Sequence, residues 1–110
     1  MWDVNALFNR HGRVEEIVAD DELRQHLIER GTYLKHAVTI TEIVEVHQGS
    51  PKYFLNTAGG GSAPVIMLGL TMNRRMLCIP LDPSDQEGKW RPRTAFEANK
   101  HHRDKYEGGP

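Results

Sequence analysis

The chain has 110 residues, of which 38% are apolar or aromatic, and this length and composition suit one globular domain rather than two. A formal net charge of −1 and an isoelectric point near 6.6 exclude a generally basic nucleic-acid-binding surface, so any nucleic-acid contact has to be local. The single cysteine excludes an intramolecular disulfide, and the longest apolar run, near residues 63–70, is too short to cross a bilayer.

We expect a soluble, cytoplasmic protein without a metal or cofactor, because the N-terminus has no apolar signal core and no Cys–His cluster has zinc-site spacing. Charge is unevenly distributed along the chain. Residues 1–50 contain five Lys or Arg and nine Asp or Glu, whereas residues 51–110 contain nine and six. This asymmetry favours a local cationic site in the second half.

A first helix is predicted over about residues 20–30, with a turn before it. Leu23 and Leu27 recur at the helical step, the acidic run 20–22 is typical of a helix start, and Gly31 is typical of a helix end. This periodic apolar spacing predicts that one face of the helix packs on the rest of the domain.

A second helix is predicted from Thr39, because Thr39 and Glu42 have the spacing of a capping box and Gly49 supplies a stop. Residues 52–55 are rich in strand-forming side chains. Residues 56–64 contain three consecutive glycines and predict a flexible loop, because they lack the Lys-Ser/Thr ending of a phosphate-binding loop.

Residues 65–71 and 75–81 are apolar segments on either side of Asn73 and Arg74, which predicts an antiparallel hairpin, although the second loop position would prefer glycine. A polar turn is expected over residues 82–89, followed by a further strand over residues 90–96.

The last helix is predicted to start with a capping box of Thr94 and Glu97 and to run to about Tyr106. The order of elements lacks βαβ alternation. It therefore predicts an α+β domain with an antiparallel sheet of three to four strands, N-terminal helices and a C-terminal helix, with the helices against one face.

Two stretches of this sequence carry a resemblance. The residues concerned are Lys35, His36, Ala37, Val38 and Thr39 at a helix start, and Arg91, Thr94, Ala95 and Tyr106 near the C-terminus. They resemble the BrnT family of ribonuclease toxins, small relatives of the RelE-like toxins that pair with a ribbon-helix-helix antitoxin. The resemblance implies a single domain with a RelE-like core over residues 34–106, an N-terminal helical extension over residues 1–33, and a short tail over residues 107–110.

Arg91 and Arg93 alternate along the predicted last strand, so their side chains project from one face, about 7 Å apart at about 3.3 Å per residue. Metal-independent RNA cleavage needs a base for the 2′-hydroxyl proton, an acid for the 5′-oxygen, and positive charge at the phosphorane. Guanidinium groups suit the last requirement, because each can donate to two phosphate oxygens. We therefore predict that Arg91 and Arg93 are catalytic.

The remaining candidates come from the predicted last helix and from the start of the second. His36, His101 and His102 are the candidate acid or base, because imidazole titrates near neutral pH. Lys100 and Arg103 are three residues apart and share a helix face. The candidate substrate-binding residues are Lys35, Lys100, Arg103 and Tyr106. This interpretation requires the last strand and the last helix to converge on one concave site.

Two functions are predicted. The first is a toxin-like endoribonuclease with RNA as substrate and a cognate antitoxin as partner, both implied by the resemblance. The alternative is a non-catalytic module of the same fold whose cationic patch contacts an acidic protein or a nucleic-acid backbone, since Phe96 and Glu97 stand where the family tends to have arginine. Plainer roles also remain open: Arg91 and Arg93 suit a solvated strand face, and His102 suits packing of the last helix on the sheet.

Overall fold

The computed structural model describes residues 3–33, 37–57 and 62–108, which form four helices and a six-stranded sheet. The predicted α+β class is confirmed. The helices are α1 (Val4–His11), α2 (Asp21–Tyr33), α3 (Ile40–Gln48) and α4 (Lys100–Tyr106). The strands are β1 (Glu16–Ile17), β2 (Lys52–Leu55), β3 (Val65–Leu70), β4 (Met76–Pro83), β5 (Lys89–Pro92) and β6 (Phe96–Glu97). No helix within these described ranges is both long enough and apolar enough to cross a membrane.

The sheet is mixed, with strand order β1-β5-β4-β3-β2, and β6 pairs with β4 beside this path. Most neighbours are antiparallel, but β1 runs parallel to β5, with Glu16 opposite Lys89 and Ile17 opposite Trp90. The expected antiparallel sheet of three to four strands was therefore wrong. A two-residue strand such as β1 is too short to show an alternating apolar pattern, so the sequence carried no signal for it.

The described part of the first 33 residues contributes directly to the main core. Helix α1 was not predicted; it begins after Asp3, whose carboxylate accepts a hydrogen bond from the Ala6 N–H at 3.0 Å. Its buried Phe8 makes edge-to-face contacts with Tyr53 and Trp90, with ring centroids 5.5 and 5.9 Å apart. Helix α1 thus joins the outer strand β2 to β5 across one face of the sheet.

Helix α3 has the predicted boundaries and the predicted capping box. The Thr39 hydroxyl accepts from the Glu42 N–H at 3.1 Å, and the Glu42 carboxylate accepts from the Thr39 N–H at 3.0 Å. The buried Ile43 and Val46 face the sheet. Here local sequence signals and tertiary packing favour the same helix.

Removal of the capping hydroxyl tests this assignment. Thr39→Ala is expected to lower the free energy of unfolding by about 1 kcal/mol, because an N-terminal amide of α3 loses its acceptor. Urea denaturation followed by circular dichroism measures this change. Thr41→Ala is the matched control, because Thr41 is exposed on the first turn of the same helix and should leave the stability unchanged or slightly raised. Equal midpoints for the two variants would contradict the assignment.

The predicted hairpin is formed by β3 and β4, which pair from Val65 opposite Leu81 to Leu70 opposite Met76. Arg74 lies in the turn with φ of 63°, the left-handed region for which the sequence pattern favoured glycine. Its N–H donates to the Thr71 carbonyl at 2.9 Å, which closes the turn. The turn geometry is therefore retained at the cost of a strained non-glycine residue.

The strand predicted over residues 90–96 is interrupted after β5. The Arg93 N–H donates to the Pro80 carbonyl at 2.8 Å, but proline has no N–H with which to return the second bond of an antiparallel pair. Pairing with β4 resumes in β6, where Phe96 lies opposite Cys78. Pro80 therefore coincides with the break that separates β5 from β6.

The last helix begins later than predicted, at Lys100. The Asn99 side chain accepts from the His102 N–H at 2.9 Å, and His102 Nδ1 lies 3.4 Å from the Asn99 N–H, which forms a capping box. The predicted box of Thr94 and Glu97 was wrong, because Glu97 belongs to β6. Pairing with β4 outweighs the local helix-start pattern at this point.

The sheet separates two apolar clusters. Along β4, Leu77 and Ile79 belong to the larger cluster, whereas Met76 and Cys78 belong to the smaller one, as expected for side chains that alternate across a strand. Helices α1, α2 and α3 pack on the larger cluster, and Tyr106 of α4 packs on the smaller one. Helices thus lie on both faces, and the expectation of one covered face was wrong.

Candidate functional site

Strand β5 presents Arg91 outward because its neighbours face inward. Trp90 and Pro92 are buried on one side of the strand, and Arg91 between them points away from that side. Its guanidinium lies 2.8 Å from the Asp20 carboxylate and 3.8 Å from the Glu22 carboxylate. Arg91 therefore connects β5 with the N-terminus of α2.

Asp20 has two roles at this position. Its carboxylate accepts a hydrogen bond from the Leu23 N–H at 2.9 Å, which caps α2. That backbone hydrogen bond, followed by the positive charge of Arg91, holds the pKa of Asp20 below its ordinary value. Asp20 is therefore ionised at neutral pH and fixes the position of the Arg91 guanidinium.

Arg93 is held by the strand opposite. Its Nε lies 2.8 Å from Asp82 Oδ2, and this hydrogen bond raises the pKa of Arg93 further. The other Asp82 oxygen accepts from the Ala63 N–H at 2.6 Å. Asp82 is also opposite Arg91 in the β4–β5 pairing, so the side chains of Asp82 and Arg91 leave the sheet on the same face.

His26 reaches the same place from α2. Its Nε2 lies 3.0 Å from the hydroxyl oxygen of Thr94, in the segment between β5 and β6. Glu22 precedes His26 by four residues, so both side chains lie on one face of α2. The imidazole and the carboxylate are thereby carried on the helix that contacts Arg91.

These side chains surround an open hollow of about 360 Å³. We refer to it as the β5 hollow, and its lining residues are Glu22, Leu23, His26, Asp82, Arg91, Pro92 and Arg93. It combines an imidazole, two carboxylates and two guanidinium groups, and such groups can act as the base, the acid and the positive charge in metal-independent cleavage of a phosphodiester.

The candidates on α4 lie at a different place. A second hollow of about 200 Å³ opens between α4 and the outer strands, and we call it the α4 hollow. Its principal lining residues are Phe54, Leu55, Asn56 and Ile66 from the sheet side and His101, His102 and Lys105 from α4. The Tyr106 hydroxyl donates to the Ser50 carbonyl at 3.2 Å, and Lys100 and Arg103 are exposed.

His102 is the most constrained of the α4 histidines. Burial lowers the pKa of its imidazole, and the nearby His101 and Lys105 lower it further. The neutral ring contacts Cys78, with His102 Nε2 3.8 Å from the sulfur. Burial also raises the pKa of the Cys78 thiol to about 12, so this thiol is not a nucleophile.

The structure therefore brings only part of the predicted site together. Arg91 and Arg93 line the β5 hollow, whereas His101 and His102 line the α4 hollow, and Lys35 and His36 lie outside the described residues. One concave site shared by the last strand and the last helix is not found in the described part of the chain. The break after β5 leads the chain to the other face of the sheet before α4 begins.

Three residues of the β5 hollow were missed by sequence reasoning. Asp20–Glu22 was interpreted only as a helix start, and Asp82 only as part of a turn. His26 was not considered, although its spacing of four residues from Glu22 was a visible signal. Its contact with Thr94 spans 68 positions and could not be inferred from spacing along the chain.

No group of three or more His, Cys, Asp or Glu side chains that could hold a metal ion is found in the described ranges. Comparisons with known protein families and with curated protein sequences found no match to this chain.

Proposed function

We propose that the protein is an endoribonuclease that cleaves RNA by acid–base catalysis in the β5 hollow. The observation that supports this proposal is the convergence of Arg91, Arg93, His26 and Glu22 on one open hollow. The proposal keeps the two arginines predicted from the sequence. It replaces the α4 histidines by His26, because a proton-transferring group has to reach the reacting phosphodiester.

In the proposed reaction the Glu22 carboxylate accepts the proton of a ribose 2′-hydroxyl, and the resulting oxygen attacks the adjacent phosphorus. The bond from phosphorus to the 5′-oxygen breaks, and protonated His26 donates a proton to that oxygen. The products are a 2′,3′-cyclic phosphate and a free 5′-hydroxyl. Arg91 and Arg93 stabilise the additional negative charge on the phosphorane oxygens.

The geometry around His26 supports its assigned role. The Thr94 hydroxyl oxygen lies 3.0 Å from the ring nitrogen, so a hydroxyl oxygen can occupy hydrogen-bonding distance from this imidazole. A substrate oxygen that displaced the Thr94 hydroxyl from this nitrogen would be within reach for proton transfer. The Glu22 side chain is 89% exposed and is therefore open to substrate.

The resemblance to the BrnT family extends the proposal to the location of the enzyme and to its protein partner. We place the enzyme in the cytoplasm as the toxin of a toxin–antitoxin pair, with a cognate antitoxin that covers the β5 hollow. An antitoxin segment carrying carboxylates would compete with RNA phosphate for Arg91 and Arg93.

A second function is favoured by one observation. Both arginines already form ion pairs with carboxylates of the same chain, Arg91 with Asp20 and Arg93 with Asp82, each at 2.8 Å. These pairs connect the chain around β5 with α2 and β4, so both arginines have a structural role that does not depend on catalysis. This role favours a non-catalytic module that contacts an acidic protein or a nucleic-acid backbone. That module would bind RNA with a steep salt dependence and leave it intact.

Cleavage of a labelled RNA in the presence of a chelator distinguishes the two functions. The wild-type protein is expected to produce 2′,3′-cyclic phosphate ends. His26→Ala is expected to lower the cleavage rate by about two to four orders of magnitude, because proton transfer to the leaving oxygen is lost. Gln25→Ala is the matched control, because Gln25 is exposed on the neighbouring position of α2 and does not line the hollow. Intact RNA with the wild-type protein, or equal rates for both variants, would reject the endoribonuclease.

A further inference from the structure

The α4 hollow has an apolar interior and a cationic rim. Phe54, Leu55 and Ile66 are partly buried along its sheet side, and Leu68 beneath them is fully buried. The rim carries Lys105, which is exposed, and the two histidines of α4. A ligand that suits this hollow has a flat apolar part and an anionic part.

Aromatic rings near the hollow are already covered by cations of the same chain. Lys105 Nζ lies 5.7 Å from the centroid of the Phe54 ring, and Lys52 Nζ lies 5.0 Å from the centroid of the Tyr106 ring. The face of Phe54 is thus open enough to accept a mobile side chain. A nucleobase can displace an exposed lysine from such a face, because base–aromatic stacking buries more apolar surface.

Charge favours a phosphate at the rim. The segment Lys100–Tyr106 contains three Lys or Arg and one Asp, so the helix beside the hollow is net positive. His101 lies next to His102 with ring centroids 6.0 Å apart, and the exposed His101 can donate a hydrogen bond to oxygen.

We propose that the α4 hollow is a nucleotide-binding site, in which the base stacks on Phe54 and the phosphate contacts Lys105 and His101. This inference goes beyond the proposed function, because binding here does not require cleavage in the β5 hollow. A free nucleotide and an unpaired nucleotide of an RNA strand present the same chemistry. Both present a heteroaromatic ring attached to a phosphate.

Two titrations test the site and distinguish the two sources. Nucleoside 5′-monophosphates are titrated calorimetrically into the full chain, and a short labelled single-stranded oligoribonucleotide is titrated by fluorescence anisotropy into His26→Ala, which is chosen to prevent cleavage. Binding of monophosphates assigns a free nucleotide as a sufficient ligand. Binding of the strand alone assigns an unpaired nucleotide within RNA. In either case Phe54→Leu is expected to weaken binding roughly 5- to 150-fold, and Phe54→Tyr to preserve it.

Further variants and probes keep the test decisive. Lys105→Met removes an exposed charge without disturbing the core and is expected to weaken binding and reduce its salt dependence. Met72→Ala is the control, because Met72 is 80% exposed in the β3–β4 turn and should bind as the wild type does. The proposal is overturned if neither probe binds, if a folded Phe54→Leu binds normally, or if inorganic phosphate competes as well as a monophosphate. Loss of cleavage in Arg91→Ala with unchanged nucleotide binding would separate this site from the β5 hollow.

Discussion

Replacement of Arg91 by alanine is expected to lower kcat for RNA cleavage by about two to three orders of magnitude, the usual effect of removing one donor from a developing oxyanion. Arg91 is one of two guanidinium groups in the β5 hollow, and the proposed phosphorane develops its charge beside them. The fold should survive, because the Arg91 side chain is 44% exposed and its ion pairs with Asp20 and Glu22 are surface interactions.

The matched control for this variant is Lys89→Ala. Lys89 lies two positions earlier on β5, forms a comparable ion pair with Glu16 at 3.2 Å, and does not line the hollow. Its removal should leave both kcat and KM unchanged. Arg91→Lys is expected to restore only part of the activity, because an ammonium lacks the planar fork of a guanidinium. Equal loss of activity in Arg91→Ala and Lys89→Ala would assign Arg91 a structural role.

Replacement of Trp90 by alanine is expected to lower the free energy of unfolding by about 3–5 kcal/mol. Trp90 is fully buried, and its ring contacts Phe8 and His11 with centroids 5.9 and 6.0 Å away. Its indole N–H donates to the Gly12 carbonyl at 3.1 Å, so the substitution also leaves a partly buried acceptor without its donor. Both losses weaken the attachment of the segment after α1 to β5.

Urea denaturation measures the effect of the Trp90 substitution on the free energy of unfolding. Trp90→Phe should lower the free energy of unfolding less than Trp90→Ala does, because a phenyl ring keeps most of the contact with Phe8. Both variants lose the hydrogen bond to Gly12. Val44→Ala is a useful comparison, because Val44 is only partly buried on α3. This variant should lower the free energy of unfolding less than either Trp90 variant does. A Trp90→Ala protein as stable as the wild type would show that this part of the core is not formed in solution.

Sequence reasoning succeeded where local and tertiary signals agree. The capping box of Thr39 and Glu42 and the paired apolar segments of β3 and β4 each predict the element that forms. Arg91 and Arg93, two residues apart in the chain, both line the β5 hollow. These features depend on residues that are close together in the chain.

Sequence reasoning failed where contacts with residues distant in the chain decide between two local patterns. The local pattern favours a helix start at Thr94 over one at Asn99, because a capping box usually has Glu or Gln at the third helical position. The Ala98 N–H donates to the Met76 carbonyl at 2.9 Å, which extends the pairing of β6 with β4 and delays the helix. The His26–Thr94 contact likewise depends on how α2 lies against β5, which the sequence pattern does not encode.

The parallel pairing of β1 with β5 also bears on protein synthesis. The strand of Glu16 and Ile17 cannot form before Lys89 and Trp90 have been synthesised. More than half of the chain lies between the two partners. Such a contact closes a long loop and is reached late in folding. Until Lys89 and Trp90 have been synthesised, residues 16–17 therefore remain without their strand partner and accessible to chaperones.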